Sequence, residues 1–560
     1  MKHLLVVTSV IALTAGGCTS DDTDEPPPPA GATVNAPGVP AGPAAGTAGV
    51  PVVLPAVPAP STVPAPVADP PRFGDFLLRV VSVGLANPWE VTWGPDDYLW
   101  ITERTGKAVA RVRPSDGARV TALELPEVYQ GGGQDGVLGM ALHPRLLTGT
   151  GEDYVYVAFT YDAAAGNDVS AGFTDAGAGT ESSADLGDAG TGTALGPGDA
   201  AAGNEPIIDA RVALRRYEYD VVTQRLGRPV TLLSGLPASS DHNSGRLAFG
   251  PDDKLYYTIG DQGANQFLNK CHPNRAQDLP TAEQVEARDW SLYRGKVLRI
   301  GLDGSIPTDN PVLADVRSHV FSYGHRNAQG ISFGASGTLY ASEHGPKSDD
   351  ELNIIRGGQN YGWPHVAGYQ DDQAYVYANW SLAPDCETLT FDDYVIPPSV
   401  PSATESSWPG PFVSPIKTLY TVANDYNFHD PACAGSEYIC WPTVAPSSLD
   451  VYTQLPSGIP GWADSLLVVS LKRGAVLRFK LLPDGQSVEA ESQELFRTIN
   501  RYRDIAQAPN GRDFYVVTDS TGQTSGPTQG FTGELDNPGA LLEFSYAPAT
   551  GTASVGERAP

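Results

Sequence analysis

The residue pair best suited to acid–base chemistry is Asp241-His242, in the polar stretch SSDHNSG. Neutral imidazole accepts protons well near neutral pH, and a nearby carboxylate can orient it. After the pair, LAFG leads into a turn at residues 251–253, and LYYTIGD brings the chain back to the same edge. This pattern predicts a catalytic base at the end of a β-strand. The alternative is a core histidine satisfied by its polar neighbours.

A second group of candidates is cationic. Arg326, Lys472, Arg501 and Arg503 lie in the separate polar stretches YGHRNAQG, SLKRG and NRYRD. In a chain with a net charge of −29, cations gathered at one side of the fold would need an anion to neutralise them. Arginine pairs with carboxylates through two parallel hydrogen bonds, so a ligand with several carboxylates would fit. The alternative is that these cations pair with Asp504 and other acids of the rim.

A repeated hairpin must position these loops. Each copy has a short apolar strand, a turn rich in Gly, Pro, Asp or Asn, and a second strand that ends in polar residues. The clear copies are VTWGPDDYLWITE (91–103), LAFGPDDKLYYTIGD (247–261), ISFGASGTLYASE (331–343) and IAQAPNGRDFYVVTD (505–519), and looser copies cover 140–160 and 462–479.

Six irregularly spaced hairpins predict an all-β fold, a six-bladed β-propeller with long inter-strand loops. The alternative is a β-sandwich, although sandwiches rarely repeat one hairpin six times. We expect ALLEFSY (540–546) to pair with FLLRVVSV (76–83) and complete one blade, which would remove the sheet edges.

Amino-acid composition and motif content argue against several classes of function. The 61 Gly and 49 Pro, with only 2 Met, favour turns and strands, and the negative charge argues against binding nucleic acid. The stretch GGGQDG (131–136) has dinucleotide-loop spacing, but no helix pattern follows it. The nine histidines lack zinc-ligand spacing, and the G-x-S-x-G, H-E-x-x-H and C-x-x-C motifs do not occur. Nucleotide cofactors and zinc are therefore not expected.

The N-terminal stretch MKHLLVVTSVIALTAGGC has a cationic start, a short apolar run and small residues before Cys18. It predicts an export signal with lipidation of Cys18, although Ala15 replaces the usual larger aliphatic residue. Plain secretion with cleavage nearby is the alternative. We expect the protein to be exported, to the periplasm or the cell surface, and to meet the membrane only through this lipid.

Composition also divides the rest of the chain. The Pro- and Ala-rich tether cannot bury enough apolar surface to fold, and the acidic segment between two strand-like stretches indicates a disordered loop insertion rather than a calcium loop. The expected divisions are the signal at 1–18, the tether at 19–71, the propeller at 72–548 with its insertion at 161–206, and a disordered tail at 549–560.

Four cysteines remain if Cys18 carries lipid, and an exported chain permits disulfides. The short stretch CAGSEYIC favours a pair between Cys433 and Cys440. Whether Cys271 and Cys386 pair stays open.

Long motifs, in order, resemble the soluble pyrroloquinoline-quinone (PQQ) glucose dehydrogenases of the glucose/sorbosone dehydrogenase family. They include DHNSGRLAFGPDDKLYYTIGDQGANQ, YRGKVLRIGLDGSIPTDNP, GHRNAQGISF, SEHGPKSDDELN, GGQNYGWPHVAGYQDD, YICWPTVAPSS, SLKRG and NRYRD. The resemblance covers about residues 75–547. It implies a six-bladed propeller that carries PQQ at the mouth of its channel and oxidises the C1 hydroxyl of an aldose to a lactone.

The resemblance also implies residue roles. His242 would be the general base, assisted by Asp241, and Arg326 would stabilise charge on the cofactor. The sugar contacts would be Gln134, Asp241 and Gln266. The PQQ contacts would be Arg326, Asn327, Gln329, Trp441, Thr443, Lys472, Arg501 and Arg503. His344 and Phe267 depart from the family pattern beside this pocket, which leaves the preferred sugar undefined.

Calcium is implied in the same way. Gly345 and Pro346 would offer backbone carbonyls to the ion that PQQ chelates, as a hard cation prefers oxygen ligands. A further calcium pair near a dimer interface would use Glu351, Tyr361, Ala367, Tyr369, Asp371 and Glu405.

The expected partners are an aldose, a quinone or other small electron acceptor and a second copy of the chain. A non-catalytic propeller lipoprotein that binds glycans or a protein is the alternative.

Overall fold

A computed structural model describes residues 71–165, 208–527 and 530–548. The expected export signal with Cys18, almost all of the tether, most of the acidic insertion and the C-terminal tail lie outside these residues. Within the described part of the chain, no helix has the length and apolar character needed to cross a membrane.

The described residues form a six-bladed β-propeller, which confirms the predicted fold. Each blade is an antiparallel sheet in which the first strand lies nearest the axis. Blade 1 consists of Pro88–Trp93, Leu99–Glu103, Ala108–Val112 and Arg119–Glu124. Blade 2 consists of Val137–Leu142, Tyr154–Asp162, Ala210–Asp220 and Arg225–Pro237. Blade 3 consists of Leu247–Phe249, Leu255–Ile259, Lys296–Ile300 and Val320–Tyr323.

The remaining blades follow the same order. Blade 4 consists of Ala328–Phe333, Leu339–Glu343, Asp350–Ile355 and Lys417–Leu419. Blade 5 consists of Pro446–Val451, Ser465–Ser470, Ala475–Lys480 and Gln493–Leu495. Blade 6 consists of Tyr502–Gln507, Asp513–Thr518, Leu541–Tyr546 and Phe76–Ser82, with the short strand Arg72–Phe73 added at its edge.

Short elements occupy the connections between strands. Two small hairpins pair Val312–Leu313 with Val316–Arg317 and Tyr377–Ala378 with Ser402–Ala403. The described α-helices are Ala282–Glu286 and Glu437–Cys440. The 3-10 helices are Phe267–Asn269, Ser291–Tyr293, Trp380–Leu382, Cys386–Thr388, Glu405–Ser407 and Pro431–Cys433.

The ring closes through strands from both ends of the described chain. Phe76 pairs with Tyr546 and Leu78 with Phe544 in antiparallel register, so the first long strand is the outer strand of blade 6. Phe76 is 4 % exposed and packs edge-on against Phe496 of the same apolar cluster. The predicted pairing of 540–546 with 76–83 is therefore confirmed, and blade 6 needs both segments.

The repeated turns have a common physical basis. In blades 1 and 3, the amides of Gly94 and Gly250 donate to the carbonyls of Tyr98 and Lys254 at 2.7 and 2.8 Å. Asp97 and Asp253 hold the left-handed position of these turns, with φ of 59° and 55°. Aspartate tolerates this conformation, which is why the recurring Pro-Asp-Asp pattern predicts a tight hairpin.

One predicted repeat is displaced by a strand. The stretch 462–479 spans the second and third strands of blade 5, whereas the axial strand is Pro446–Val451. The first two strands of this blade are separated by the 13-residue connection 452–464, so the compact hairpin of the four clear repeats does not form there. The tight turn follows the second strand instead.

The acidic insertion leaves and re-enters blade 2 at one point. Tyr161 and Asp162 still belong to the strand Tyr154–Asp162, so the predicted start of the insertion at 161 is too early, and Asp162 pairs directly with Ala210 of the next strand. The strands around this point remain buried: Val157, Ala158 and Phe159 are all 0 % exposed. The blade is thus complete without the inserted residues.

Candidate functional site

Polar loops from blades 2 to 6 converge on a cavity of about 620 Å³ at one face of the ring. A larger cavity, of about 870 Å³, is lined instead by residues of the axial strands such as Glu90 and Arg246. Predicted site residues that line the first cavity are Gln134, Asp241, His242, Gln266, Arg326, Gln329, Gly345, Pro346, Trp441, Thr443, Lys472, Arg501 and Arg503.

His242 is held by a carboxylate from the neighbouring strand of blade 3. Its Nδ1 lies 2.7 Å from Oδ1 of Asp261, which is fully buried. Because a carboxylate accepts, Nδ1 carries the hydrogen and Nε2 keeps its lone pair. Gln266 Nε2 lies 3.4 Å from His242 Nε2. His242 can therefore act as a base through Nε2.

Asp261 is stabilised in its charged form. Burial by itself would raise its pKa, but the interaction with His242, the charge of Arg326 and the hydrogen bond from Trp363 lower the pKa below the usual value. Trp363 Nε1 and Asn274 Nδ2 donate to its second oxygen at 2.8 and 3.0 Å. A carboxylate with both oxygens engaged fixes the imidazole ring in one orientation.

Asp241 occupies the other side of the imidazole. Its Oδ1 lies 3.7 Å from His242 Nε2, and it accepts from Gln134 Nε2 at 2.7 Å. Gln266 Nε2 donates to the other oxygen of Asp241 at 3.3 Å. The structure therefore groups the three predicted sugar contacts around Nε2, while the orienting carboxylate is Asp261, which the sequence analysis missed.

Two glycines allow the close approach of these loops. A Cβ on Gly260 would lie 1.9 Å from the carbonyl oxygen of His242, and one on Gly133 would lie 2.0 Å from that of Ser240. Gly133 belongs to the stretch GGGQDG, whose Asp135 carboxylate accepts from the amides of Gly131 and Gly133. This stretch is thus a turn that brings Gln134 to Asp241.

Arg326 is 7 % exposed and leans on the ring of Trp363, with its guanidinium carbon 5.3 Å from the centroid. Its terminal nitrogens donate to Gln266 Oε1 at 3.3 Å and to the His344 carbonyl at 3.4 Å. Within the described ranges it forms no ion pair, and its buried Nε has no hydrogen-bond partner. The guanidinium of Arg326 therefore has an N–H donor and a positive charge that are available to pair with a ligand.

The neighbouring backbone is organised by Glu343, at the end of the second strand of blade 4. Its Oε1 accepts from the amides of Arg326 and Asn327, and its Oε2 lies 3.0 Å from His325 Nδ1. Asn327 is fully buried and its Oδ1 accepts from the Ser244 amide at 3.1 Å, whereas its Nδ2 has no partner. Asn327 lies beside the cavity but is not among its lining residues.

The opposite side of the cavity carries three more cations. Arg501 and Arg503 both pair with Asp519, at 3.2 and 2.8 Å. Asp504 pairs instead with Arg246 at 3.1 Å, so the alternative that site cations pair with acids of the rim holds for Arg501 and Arg503 through Asp519, whereas its choice of Asp504 is wrong. In the axial strand of blade 6, consecutive side chains point to opposite sides of the sheet. Asp504 therefore faces away from the side on which Arg503 meets Asp519.

Lys472 is 4 % exposed and is held by neutral oxygens. Its Nζ donates to Thr443 Oγ1 at 2.6 Å and to the Trp441 carbonyl, and it forms no ion pair with any described residue. Burial lowers the pKa of Lys472 to about 7, although Asp350 counteracts part of the effect. Burial likewise raises the pKa of Asp350 to about 6. An anionic ligand would restore the charged ammonium.

His344, which departs from the family pattern, lines the same cavity. Its Nε2 lies 3.0 Å from the Pro446 carbonyl, so this nitrogen carries the hydrogen. Burial, together with the charges of Arg326, His242 and Arg503, holds the pKa of His344 well below its usual value. A neutral imidazole thus lies between the two groups of cations. Phe267, the other departure, is 53 % exposed at the rim.

The predicted calcium ligands fall into two places. Gly345 and Pro346 line the cavity, and the Gly345 amide donates to Asp350 at 2.9 Å. The second set lies behind the cavity, where Glu351 Oε1 accepts from the Gly368 amide at 2.7 Å and Glu405 Oε1 from the Ala367 amide at 2.9 Å. Burial raises the pKa of Glu405 to about 7, with a smaller contribution from Asp371.

Other members of this second set make their own contacts. The Tyr361 hydroxyl donates to the Ile354 carbonyl at 2.6 Å, and Tyr369 is 36 % exposed. No group of three or more His, Cys, Asp or Glu in a metal-holding arrangement occurs among the described residues.

Both cysteine pairs are joined. Cys433 is bonded to Cys440, and Cys271 to Cys386, the pair that the sequence left open. These residues lie in the loops that flank the two sides of the cavity.

The residues that sequence reasoning missed have a common signal. Glu343 is the last residue of the second strand of a repeated hairpin, and Asp261 and Asp519 follow the ends of theirs by one or two residues; each of the three holds a site residue. The repeat in blade 1 also ends in an acid, Glu103, which accepts from the Ala86 amide at 2.9 Å. An acid at the polar end of the repeated hairpin therefore marks the supports of the site.

The chain matches the family model described as Glucose / Sorbosone dehydrogenase over residues 85–400 and 420–525. It is 42 % identical over 476 residues to the quinoprotein glucose dehydrogenase B of Acinetobacter calcoaceticus, an alignment that covers 84 % of this chain and 91 % of that protein.

Solved structures agree with the fold. The PQQ-bound aldose sugar dehydrogenase of Streptomyces coelicolor superimposes with a TM-score of 0.50 at 24 % identity, covering 85 % of this chain and 99 % of that one. The apo-form of the soluble aldose sugar dehydrogenase of Escherichia coli gives a TM-score of 0.53 at 21 % identity, covering 84 % and 99 %.

Proposed function

The chain belongs to the glucose/sorbosone dehydrogenase family, and from that premise we propose that it oxidises the C1 hydroxyl of glucose or a related aldose to the lactone, with PQQ as its cofactor. It is a quinoprotein sugar dehydrogenase. The observation that carries the proposed mechanism is a base with a free Nε2, His242, which faces a set of cations across one cavity. An external acceptor then takes the electrons.

The cavity fits a multiply carboxylated quinone. Arg326 Nε and Asn327 Nδ2 are buried donors with no partner among the described residues, and Lys472 Nζ donates to the neutral oxygens of Thr443 and Trp441. Each would gain an acceptor from a carboxylate or quinone oxygen. Arg501 and Arg503 add charge, and Trp441 and Thr443 line the same side. When bound, PQQ supplies the oxidising power, because its quinone takes up two electrons as hydride from the anomeric carbon.

The chain itself supplies proton transfer and orientation. We propose that His242 Nε2 takes the proton from the anomeric hydroxyl as the C1–H electron pair leaves, and that Asp261 stabilises the resulting imidazolium. General-base catalysis of this kind contributes roughly 10²- to 10⁴-fold to a rate. Arg326, 3.3 Å from Gln266, is placed to donate toward developing negative charge.

The sugar would be oriented by the three polar residues around Nε2. Gln134, Asp241 and Gln266 form one hydrogen-bonded group, with Asp241 accepting from both amides at 2.7 and 3.3 Å. Carboxylate and amide groups suit hydroxyl donors and acceptors on a pyranose ring. Such contacts hold C1 near the base and raise the effective concentration of the reacting groups.

We also propose calcium at two places. Gly345 and Pro346 would offer carbonyls at the cavity, next to the buried Asp350. Glu351, Asp371 and Glu405 would hold the further ions, and a cation there would offset the burial that raises the pKa of Glu351 and Glu405. Tyr361, Ala367 and Tyr369 complete that proposed set.

Export, lipidation of Cys18 and a homodimer belong to the same proposal. The N-terminal residues supply a signal-like pattern, and two disulfides in the described chain are typical of an exported protein. Mass spectrometry of the mature protein would identify the modified N-terminus. Sedimentation with and without calcium would test whether two copies associate.

The decisive experiment is dye reduction by the purified protein with glucose and a panel of aldoses, with and without PQQ and calcium. We expect turnover only when PQQ is present, and the highest turnover with calcium added. PQQ binding without oxidation of any aldose would contradict the substrate class. Failure to bind PQQ would contradict the proposed enzyme and favour a non-catalytic binding propeller.

The base assignment has its own test. His242→Gln should lower kcat by roughly 10²- to 10⁴-fold while the Kd for PQQ stays within about twofold, because Gln cannot accept the proton. Isothermal titration and dye reduction measure the two quantities. An unchanged kcat would remove His242 from the role of base.

A further inference from the structure

One side of the cavity is formed by a long excursion of blade 4. Between the strands Asp350–Ile355 and Lys417–Leu419, the chain contributes the residues 374–396, which we call the outer wall. Cavity-lining members of this wall include Tyr375, Ala378, Trp380, Phe391 and Asp393. Its regular structure is limited to two-residue strands and single 3-10 turns.

The base of this excursion is anchored locally. Glu405 accepts from the amides of Ala367 and Asp372, both at 2.9 Å, and Tyr377–Ala378 pairs with Ser402–Ala403. These contacts all join residues within the excursion or next to it. They do not hold the tip of the excursion, the part around Cys386, in place.

The tip of the excursion is held by blade 3. Cys386 is bonded to Cys271, across 115 residues of sequence. Cys386, Trp380, Ala383 and Val400 form a small buried cluster, on which Cys271 packs. The bond joins two connections that are 115 residues apart in sequence, so it restricts the conformations that the wall can adopt relative to blade 3.

The same loop of blade 3 carries the sugar-side residue Gln266. Asn265 Nδ2 donates to the Ala378 carbonyl at 2.7 Å, and Asn265 Oδ1 accepts from the Ser381 amide at 3.1 Å. The rings of Phe267 and Phe391 lie 5.0 Å apart. Gln266 is thus flanked on both sides by residues that contact the outer wall.

We propose that the Cys271–Cys386 disulfide is a positioning element for sugar binding, acting through the outer wall and Gln266. The other disulfide lies on the cofactor side, since Cys433–Cys440 closes the segment directly before Trp441, whose carbonyl accepts from Lys472. The two disulfides therefore lie on different sides of one cavity, and the two sides meet where Trp441 Nε1 donates to the hydroxyl of Tyr394 in the outer wall at 3.1 Å. This inference rests on the proposed sugar oxidation.

The test compares two matched variants of the full chain, Cys271→Ala/Cys386→Ala and Cys433→Ala/Cys440→Ala. The first should raise KM for the sugar about tenfold, with kcat at saturating sugar and the Kd for PQQ within about twofold. The second should weaken PQQ binding about tenfold and leave the sugar KM within about twofold. Equal effects of the two variants on KM would overturn the division of roles.

Hydrogen exchange of the PQQ-free protein gives a readout independent of catalysis. Loss of Cys271–Cys386 should speed exchange at least about tenfold in residues 262–275 and 374–396, and the other variant should not. Unchanged exchange in these residues would overturn the proposed positioning role of the Cys271–Cys386 disulfide, even if the KM for the sugar changed. If the wild type oxidises no aldose, the proposed function fails, while exchange still decides whether the bond holds the Gln266 loop.

If the Cys271→Ala/Cys386→Ala variant does not fold, reversible reduction of the Cys271–Cys386 disulfide provides a second test. In the Cys433→Ala/Cys440→Ala background, Cys271–Cys386 is the remaining disulfide of the described residues. Reduction should raise the sugar KM about tenfold and reoxidation should restore it. A KM that does not respond to reduction, with thiol labelling confirming both free cysteines, would overturn the proposal.

Discussion

At the scale of single residues, the chemistry depends on which nitrogen of His242 is free. Asp261 accepts from Nδ1 at 2.7 Å and is itself held by Trp363 and Asn274, so the tautomer is set by a rigid, buried carboxylate. The adjacent Asp241 faces Nε2 at 3.7 Å and belongs with the sugar contacts. The proposed orienting role and the proposed sugar-binding role thus belong to two different aspartates.

This division predicts the effect of Asp261→Asn. An amide can donate to Nδ1 and so favour hydrogen on Nε2, which removes the base without removing the side chain. We expect kcat to fall at least about 100-fold and the Kd for PQQ to stay within about twofold. Steady-state dye reduction and titration measure both, and a thermal scan checks folding. A kcat close to that of the wild type would contradict the orienting role.

Lys472 predicts a pH dependence of cofactor binding. Burial lowers its pKa to about 7, so the ammonium is largely charged below pH 7 and largely neutral above it. Binding a carboxylate favours the charged form, and the complex must take up a proton above pH 7. The affinity for PQQ should therefore fall by up to about tenfold per pH unit between pH 7 and 8.5.

Titrations of the PQQ-free protein at several pH values would measure this slope. The window lies above the pKa of Asp350, which is about 6, so that carboxylate stays ionised throughout. Lys472→Met is the control, because it should bind more weakly at pH 7 and show a flatter slope. A wild-type affinity that does not change between pH 7 and 8.5 would rule out Lys472 as the titrating group.

At the scale of elements, the hairpin is the unit that builds the site. Its second strand ends at the cavity face, and the acid at that end holds the loop of a neighbouring connection, as Glu343 holds Arg326 and Asn327. The approach is close enough that Gly260 tolerates no side chain, since a Cβ would lie 1.9 Å from the His242 carbonyl.

Gly260→Ala tests this packing. The added methyl group must displace the backbone of His242, so we expect a destabilisation of about 1–3 kcal/mol and a marked loss of kcat. Gly533→Ala is the matched control, because a Cβ there meets no atom within 4 Å. Chemical denaturation and dye reduction measure the two effects. Equal stability and activity of both variants would contradict the close-approach argument.

At the scale of the whole molecule, the ring depends on its closing strand. Phe76–Ser82 supplies the outer strand of blade 6, and Phe76 is buried among Trp462, Phe496 and Phe514. Without this strand, Leu541–Tyr546 would become an exposed edge next to an opened apolar cluster. The fold therefore joins residues separated by more than 450 positions in sequence.

Two truncations test the closure. Deleting residues 1–83 should destabilise the protein and promote aggregation, because it removes the strand and its apolar contacts. Deleting residues 1–70 should leave the midpoint of thermal unfolding within about 2 °C of the full chain, because the strand is retained. Calorimetry and light scattering measure the outcomes. Equal stability of the two truncated proteins would contradict the role of this strand.

The sequence by itself determined the repeats, the propeller, its closing pair of strands and the loops that carry His242, Arg326, Lys472, Arg501 and Arg503. These are local patterns, in which β-strand alternation, turn residues and polar strand ends can be recognised without contacts between distant segments. The first two strands of blade 5 could not be recognised in this way, because a long connection replaces the tight turn between them.

The tertiary structure alone decided the partners of those residues. It joined His242 to Asp261, the two arginines to Asp519 rather than Asp504, and Cys271 to Cys386. The reason is geometric, because these contacts connect different loops or opposite sides of a strand. Their distances depend on how the six blades are arranged around the axis, which no short stretch of sequence specifies.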